Sequence, residues 1–165
     1  MKTIVQTIIC AALLVLPHYG FSQSLGYTQV TDMDVKGVFI GGTYTKVQVE
    51  AKWGTATKYR SNMSENGLNE IYDYLTNQLN NQFQFNENGI FNTFTISTSD
   101  FPVYTAFSGG IKVGDNISRI QAIGLGTPVV QNNGDYYLYG NSFDDPLEFK
   151  HTNGVITQIS FMTSV

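Results

Sequence analysis

The sequence predicts an α+β fold made of two tandem units, each a short helical segment packed on an antiparallel β-sheet that closes with an Asn-Gly hairpin. Three observations predict it: the chain repeats itself, each copy opens with a capped amphipathic segment, and each copy ends on Asn-Gly between strand-like residues.

The repeat comes first, because a missed repeat misassigns the whole fold. Gly37-Val38-Phe39-Ile40-Gly41-Gly42-Thr43 aligns with Gly110-Ile111-Lys112-Val113-Gly114-Asp115-Asn116, and Trp53-Gly54-Thr55 with Leu125-Gly126-Thr127. Polar turns then lead to a Tyr-rich stretch in each copy, Ile71-Tyr72-Asp73-Tyr74 and Tyr136-Tyr137-Leu138-Tyr139. The expected division is a leader at 1–22, an N-terminal segment at 23–36, a first unit at 37–101 and a second at 102–165.

Thr43 and Asp115 follow glycines and are expected to cap helices of about ten residues, since their side-chain oxygens can accept from the free amides of the first turn. Tyr44, Val47 and Ala51 fall on one face of the first helix, and Ile117, Ile120 and Gly124 on one face of the second. Gly54 and Gly126 stand where each helix needs a residue tolerant of left-handed angles, and Pro128 stops the second.

Asn88-Gly89 and Asn153-Gly154 predict primed turns, in which both central residues take positive φ. Phe83 and Phe85 before the first turn, and Ile159 and Phe161 after the second, alternate as half-buried strands do, with Ile156 beginning a bulged continuation. Leu68, Ile71, Tyr72, Leu75 and Leu79 also fit a helical stripe, so 68–79 reads both ways; alignment with Tyr136–Tyr139 favours strand.

Lys2 followed by the apolar stretch Ile4 to Leu16 reads as a secretory leader, too short for a span of roughly 20 residues. Small residues ahead of the junction place cleavage between Ser22 and Gln23, which predicts a periplasmic or secreted protein with no transmembrane span. Cys10 is the sole cysteine, lies within that leader and lacks the small residues of a lipid-attachment site. Its removal excludes disulfides, a thiol nucleophile, thiolate metal sites and a lipid anchor. Loss of Lys2 leaves 8 basic against 13 acidic residues. Phosphate binding needs a basic stripe, and Lys46, Lys52, Lys58 and Arg60 supply only a loose set, so nucleic acid is not an expected partner.

In the second copy, Val113-Gly114-Asp115, Ile120, Leu125-Gly126-Thr127-Pro128, Tyr137-Leu138-Tyr139, Leu147-Glu148-Phe149 and Asn153-Gly154-Val155-Ile156 resemble the superfamily of the β-lactamase-inhibitor proteins and the SmpA/OmlA-type outer-membrane assembly lipoproteins. The resemblance covers about 50 residues well and the first copy loosely. It implies helices packed on antiparallel sheet, and its inhibitor branch implies two units in tandem gripping a protein. The chain departs from the inhibitors in lacking disulfides, and from the lipoproteins in lacking a lipidated cysteine.

Catalytic equipment is sparse. His151 is the only histidine beyond the leader and reads as a solvated turn residue, with no Gly-x-Ser-x-Gly elbow. Asp144, Asp145, Glu148 and His151 form the densest group of metal-ligand types but lack calcium-loop spacing, so they read as an acidic turn. No phosphate loop or dinucleotide fingerprint occurs, and no metal or cofactor is expected. Tyrosine offers a large rigid contact area with a polar tip, so Tyr136, Tyr137, Tyr139, Phe143, Tyr72 and Tyr74 are the candidate binding residues, unless they cover the helix-packed face of the sheet.

The expected function is an exported, non-catalytic protein-binding module, inhibitory or protective toward another envelope or secreted protein. The alternatives are a structural part in envelope assembly and a binder of carbohydrate or another small ligand.

Overall fold

The computed structural model describes residues 33–64, 67–105, 108–123, 129–131, 134, 136–139 and 147–163. The leader with its Ser22/Gln23 junction, most of 23–36, the Gly126-to-Pro128 stop, Phe143, Asp144 and Asp145 lie outside them.

In chain order the elements are β1 (Asp34–Val35), β2 (Val38–Phe39), α1 (Lys46–Trp53), β3 (Lys58–Ser64), β4 (Gly67–Thr76), β5 (Leu79–Phe85), β6 (Phe91–Ile96), β7 (Val103–Thr105) and β8 (Ser108–Ile111). A 3-10 segment at Ile117–Ile123 then precedes β9 (Val129–Gln131), β10 (Tyr136–Tyr139), β11 (Leu147–Thr152) and β12 (Val155–Met162). Two antiparallel sheets result, one of four strands in the order β2-β1-β7-β8, the other of eight in the order β3-β4-β5-β6-β12-β11-β10-β9.

This overturns the expected pair of helix-on-sheet α+β units. The described chain is mostly β, with a single α-helix, and the sheets expected of separate units are one sheet joined along β6 and β12. Where a second helix was expected, Asp115 Oδ2 accepts from the Lys112 amide (3.0 Å) and Asn116 Oδ1 from the Ser118 amide (2.9 Å). Such local side-chain bonds compete with a helical ladder, and Ile117, Ile120 and Ile123 add β-branched stiffness, leaving a short 3-10 turn with Ile120 buried.

The α1 helix also differs in detail. Thr45, not Thr43, caps it, in a reciprocal box: the Gln48 amide donates to Thr45 Oγ1 and the Thr45 amide to Gln48 Oε1. Its buried side is Val49 and Trp53, one turn apart, while Val47 and Ala51 face solvent. Gly54 closes it at φ 85, donating its amide to Glu50 O at 2.8 Å.

Residues 67–76 are strand. The two-residue turn Asn77-Gln78, with φ of 50 and 68, returns the chain directly into β5. Asn153 and Gly154 both take positive φ, as a primed turn requires, but at Asn88-Gly89 only Gly89 does. There the Gly89 amide donates to Asn86 O and the Asn86 amide to Ile90 O, a three-residue loop that ends in a glycine bulge.

The two halves nevertheless share a hydrogen-bonding pattern. The Gly41 amide donates to Phe91 O and the Gly114 amide to Ile156 O, each at 2.8 Å. Tyr44 likewise donates to Gly89 O, and Ile117 to Gly154 O. Each post-hairpin segment is thereby stitched to the Asn-Gly loop of its own half.

One core fills the space between the small sheet, α1 and one face of the large sheet. Trp53 is its hub, with ring centroids 4.3 Å from Phe83, 5.6 Å from Phe91, 5.9 Å from Phe101 and 6.1 Å from Tyr74. The indole N–H donates to Val35 O and the Tyr74 hydroxyl to Gly54 O, so both polar tips are satisfied inside.

Candidate functional site

With one face of the eight-stranded sheet spent on the core, the alternate residues of every strand form its outer face. Register defines a transverse row of directly opposed residues: Lys58, Asp73, Gln82, Thr95, Ser160 and Glu148, one from each of β3, β4, β5, β6, β12 and β11. Leu138 and Val129 continue it by register through β10 and β9. A parallel row runs through Arg60, Ile71, Gln84, Thr93 and Met162.

Asp73 anchors the row at one end. Its side chain is 7% exposed, and it accepts from Asn80 Nδ2 (2.9 Å), Gln82 Nε2 (3.0 Å) and Arg60 Nε (3.1 Å). Burial raises the carboxyl, but the bonds from Asn80, Gln82 and Arg60, with the Arg60 charge, together outweigh it and hold Asp73 below the usual carboxylate range. Gln84 Nε2 donates to Gln82 Oε1 at 3.3 Å, extending the network along β5. In the second half the Ser160 hydroxyl donates to Glu148 Oε2 at 2.9 Å. Where β6, β12 and β11 meet, Thr93, Thr95, Glu148, Gln158, Ser160 and Met162 edge a shallow depression of about 290 Å³.

The tyrosines expected to bind are placed otherwise. Tyr72 and Tyr74 are core residues, 1% and 8% exposed, because they share the β4 face that meets Phe83, Phe85 and Trp53. They therefore make no open recognition surface. Tyr137 and Tyr139 stand in register with the buried Phe149 and Leu147, and Tyr136 with Lys150. Phe143 lies outside the described residues.

A second feature gathers at the start of α1. Tyr59 and Tyr72 donate their hydroxyls to the two oxygens of Glu70, at 2.8 and 3.3 Å. The Lys46 ammonium lies 4.3 Å from the Tyr59 ring centroid, and the Tyr59 hydroxyl is pushed up to about 12 by burial and by Glu70. Both tyrosines are thus held as neutral donors, which gives the cluster a structural role.

Among the described residues no group of three metal-ligating side chains converges. Glu148 belongs to the outer face and His151 is half-buried beside the bulge at Lys150/His151, rather than solvated in a turn. No described helix is long and apolar enough to cross a membrane.

Sequence reasoning missed the outer face because it sought aromatics. The signal was present: Gln82, Gln84, Thr93, Thr95, Gln158 and Ser160 are the polar partners in the same alternation whose apolar members read as core. No family model, curated protein or solved structure matches this chain.

Proposed function

We propose that the protein is a non-catalytic, exported protein-binding module whose contact surface is the outer face of the eight-stranded sheet. One observation carries this reading: the row from Lys58 to Glu148 is polar, continuous across six strands and held in place by internal hydrogen bonds. Eight strands at about 4.8 Å spacing make a surface about 34 Å across, ample for a standard protein interface. Asn, Gln, Ser and Thr side chains adapt their hydrogen bonds to a partner, and fixing them beforehand lowers the ordering cost of association. The depression at Thr95 and Ser160 gives a protruding partner side chain a central seat. The face lacks the concave aromatic pocket expected of a carbohydrate binder. The reading also agrees with the resemblance of the second-copy motifs to the inhibitor proteins.

The test is capture of partners from envelope extract by the wild-type protein, by Thr95→Arg, which plants a long cation at the centre of the face, and by Val47→Arg on the remote exposed side of α1. A soluble partner lost only with Thr95→Arg is the expected result. A partner insensitive to Thr95→Arg, or equally lost with Val47→Arg, refutes the outer face. Recovery of outer-membrane assembly proteins alone would favour the envelope role instead.

A further inference from the structure

The edge strand β3 exposes an unusual self-complementarity. The Asn77-Gln78 turn is a two-residue loop, which makes Thr76 and Leu79 its closing hydrogen-bonded pair. Alternation from that pair directs the backbone groups of even-numbered β4 residues toward β5 and of odd-numbered ones toward β3. The Leu75 amide agrees, donating to Thr57 Oγ1 on the β3 side at 3.1 Å. The odd residues of β4 face Lys58, Arg60, Asn62 and Ser64. The backbone N–H and C=O groups of Tyr59, Ser61 and Met63 therefore point away from the sheet, at an edge where no other described strand pairs.

We infer that this edge is a homodimerisation surface, on which β3 pairs antiparallel with β3 of a second copy about a two-fold axis at Ser61, making one continuous sixteen-stranded sheet. Each such interface is isologous, so every contact occurs twice. With the axis at Ser61, all seven residues of β3 are used, and Ser61 meets its own counterpart. Tyr59 falls opposite Met63, Arg60 opposite Asn62, and Lys58 opposite Ser64. Met63 is 73% exposed and Tyr59 36%, so the two Tyr–Met pairs bury thioether against aromatic surface that each copy leaves in solvent. No like charges face each other. Moving the axis to Arg60 would oppose two arginines and shorten the overlap, so charge and length select the same register. Arg60 is already neutralised within its own chain by Asp73. The backbone phase agrees as well, because Tyr59, Ser61 and Met63 are the residues whose outward groups this register pairs. The two outer faces become neighbours on one extended surface.

Sedimentation of the full protein over a range of concentrations, with two kinds of variant, tests this. Proline at an outward-facing edge position removes an unpaired donor and no ladder bond, so Ser61→Pro is expected to raise the dimer dissociation constant by at least about tenfold while leaving the monomer's thermal unfolding nearly unchanged. In a Cys10→Ser background, Ser61→Cys places two sulfurs across the axis at a backbone separation of about 5.5 Å, which a disulfide spans. It is expected to oxidise to a covalent dimer far faster than Arg60→Cys, whose counterpart is Asn62. A monomer at every concentration overturns the inference, as does a dimer that Ser61→Pro leaves intact, or equal cross-linking at the two positions. A monomer whose β3 instead captures an extended segment of another protein overturns it equally.

Discussion

Trp53 donates its indole N–H to the backbone carbonyl of Val35 at 3.0 Å, tying the last turn of α1 to the first strand of the small sheet inside the aromatic core. That bond satisfies a buried carbonyl while the ring fills the space among Phe83, Phe91 and Phe101. Trp53→Phe keeps much of the volume but orphans the carbonyl, and is expected to cost about 1–3 kcal/mol. Trp53→Ala adds a cavity and should cost about 3–5 kcal/mol. Urea unfolding monitored by far-ultraviolet dichroism measures both, and equal losses would show that packing alone matters.

Asp73 sets a pH dependence. Its folded carboxyl is held below its unfolded value, so the folded state binds this proton less readily than the unfolded chain. The stabilisation is fully present above the ordinary carboxylate range and is lost as pH falls through the lower folded value. Asp73→Asn keeps the shape but loses the acceptor for Arg60, and is expected to cost about 1–3 kcal/mol at neutral pH. The gap to wild type should narrow in acid. Melting temperatures across pH check this, and a gap that widens on acidification would contradict it.

The two Asn-Gly loops should respond unequally to the same substitution. A Cβ at Gly89 would sit 2.6 Å from the Tyr44 carbonyl oxygen, whereas at Gly154 nothing lies within 4 Å. Both glycines have positive φ, so Gly154→Ala suffers backbone strain alone, about 1 kcal/mol. Gly89→Ala suffers strain and collision with rigid backbone, and is expected to cost at least twice that. Paired chemical denaturation curves would decide, and equal losses would mean that the Tyr44 segment yields freely.

Thr45 and Gln48 form the capping box of the one α-helix, so Thr45→Ala should destabilise by about 1 kcal/mol. Thr43, the cap expected from the repeat, lies two residues earlier, in an isolated bridge with Ile90. Thr43→Ala should leave stability nearly unchanged, which a side-by-side melt would check.

How much was legible follows from these cases. Alternation and Asn-Gly chemistry are local, and Phe83, Phe85, Ile159 and Phe161 occupy buried strand positions as expected. The helix of the second copy was misread because glycine-Asp spacing was weighed above the competing bonds of Asp115 and Asn116. The joining of both halves along β6 and β12 depends on Ile96 meeting Ile159 and Phe94 meeting Phe161, pairings between positions far apart in sequence that no local pattern specifies. Tyr72 and Tyr74 show the limit for sites: a tyrosine's type suits a core with an internal acceptor as well as a contact surface, and only the register of β4 against β5 decides between them.

The central seam of the large sheet has a consequence for folding kinetics. β12, the last described strand, sits in the middle of the sheet beside β6, not at its margin. A ribosome or a translocation channel delivering the chain from its N-terminus would release the first four-strand meander with the β6 edge bare, and that edge stays open until residues 155–162 arrive. Closing so distant a contact is slow. Until then the nascent chain carries an exposed apolar margin at Phe94 and Ile96, the point at which a chaperone would be needed most.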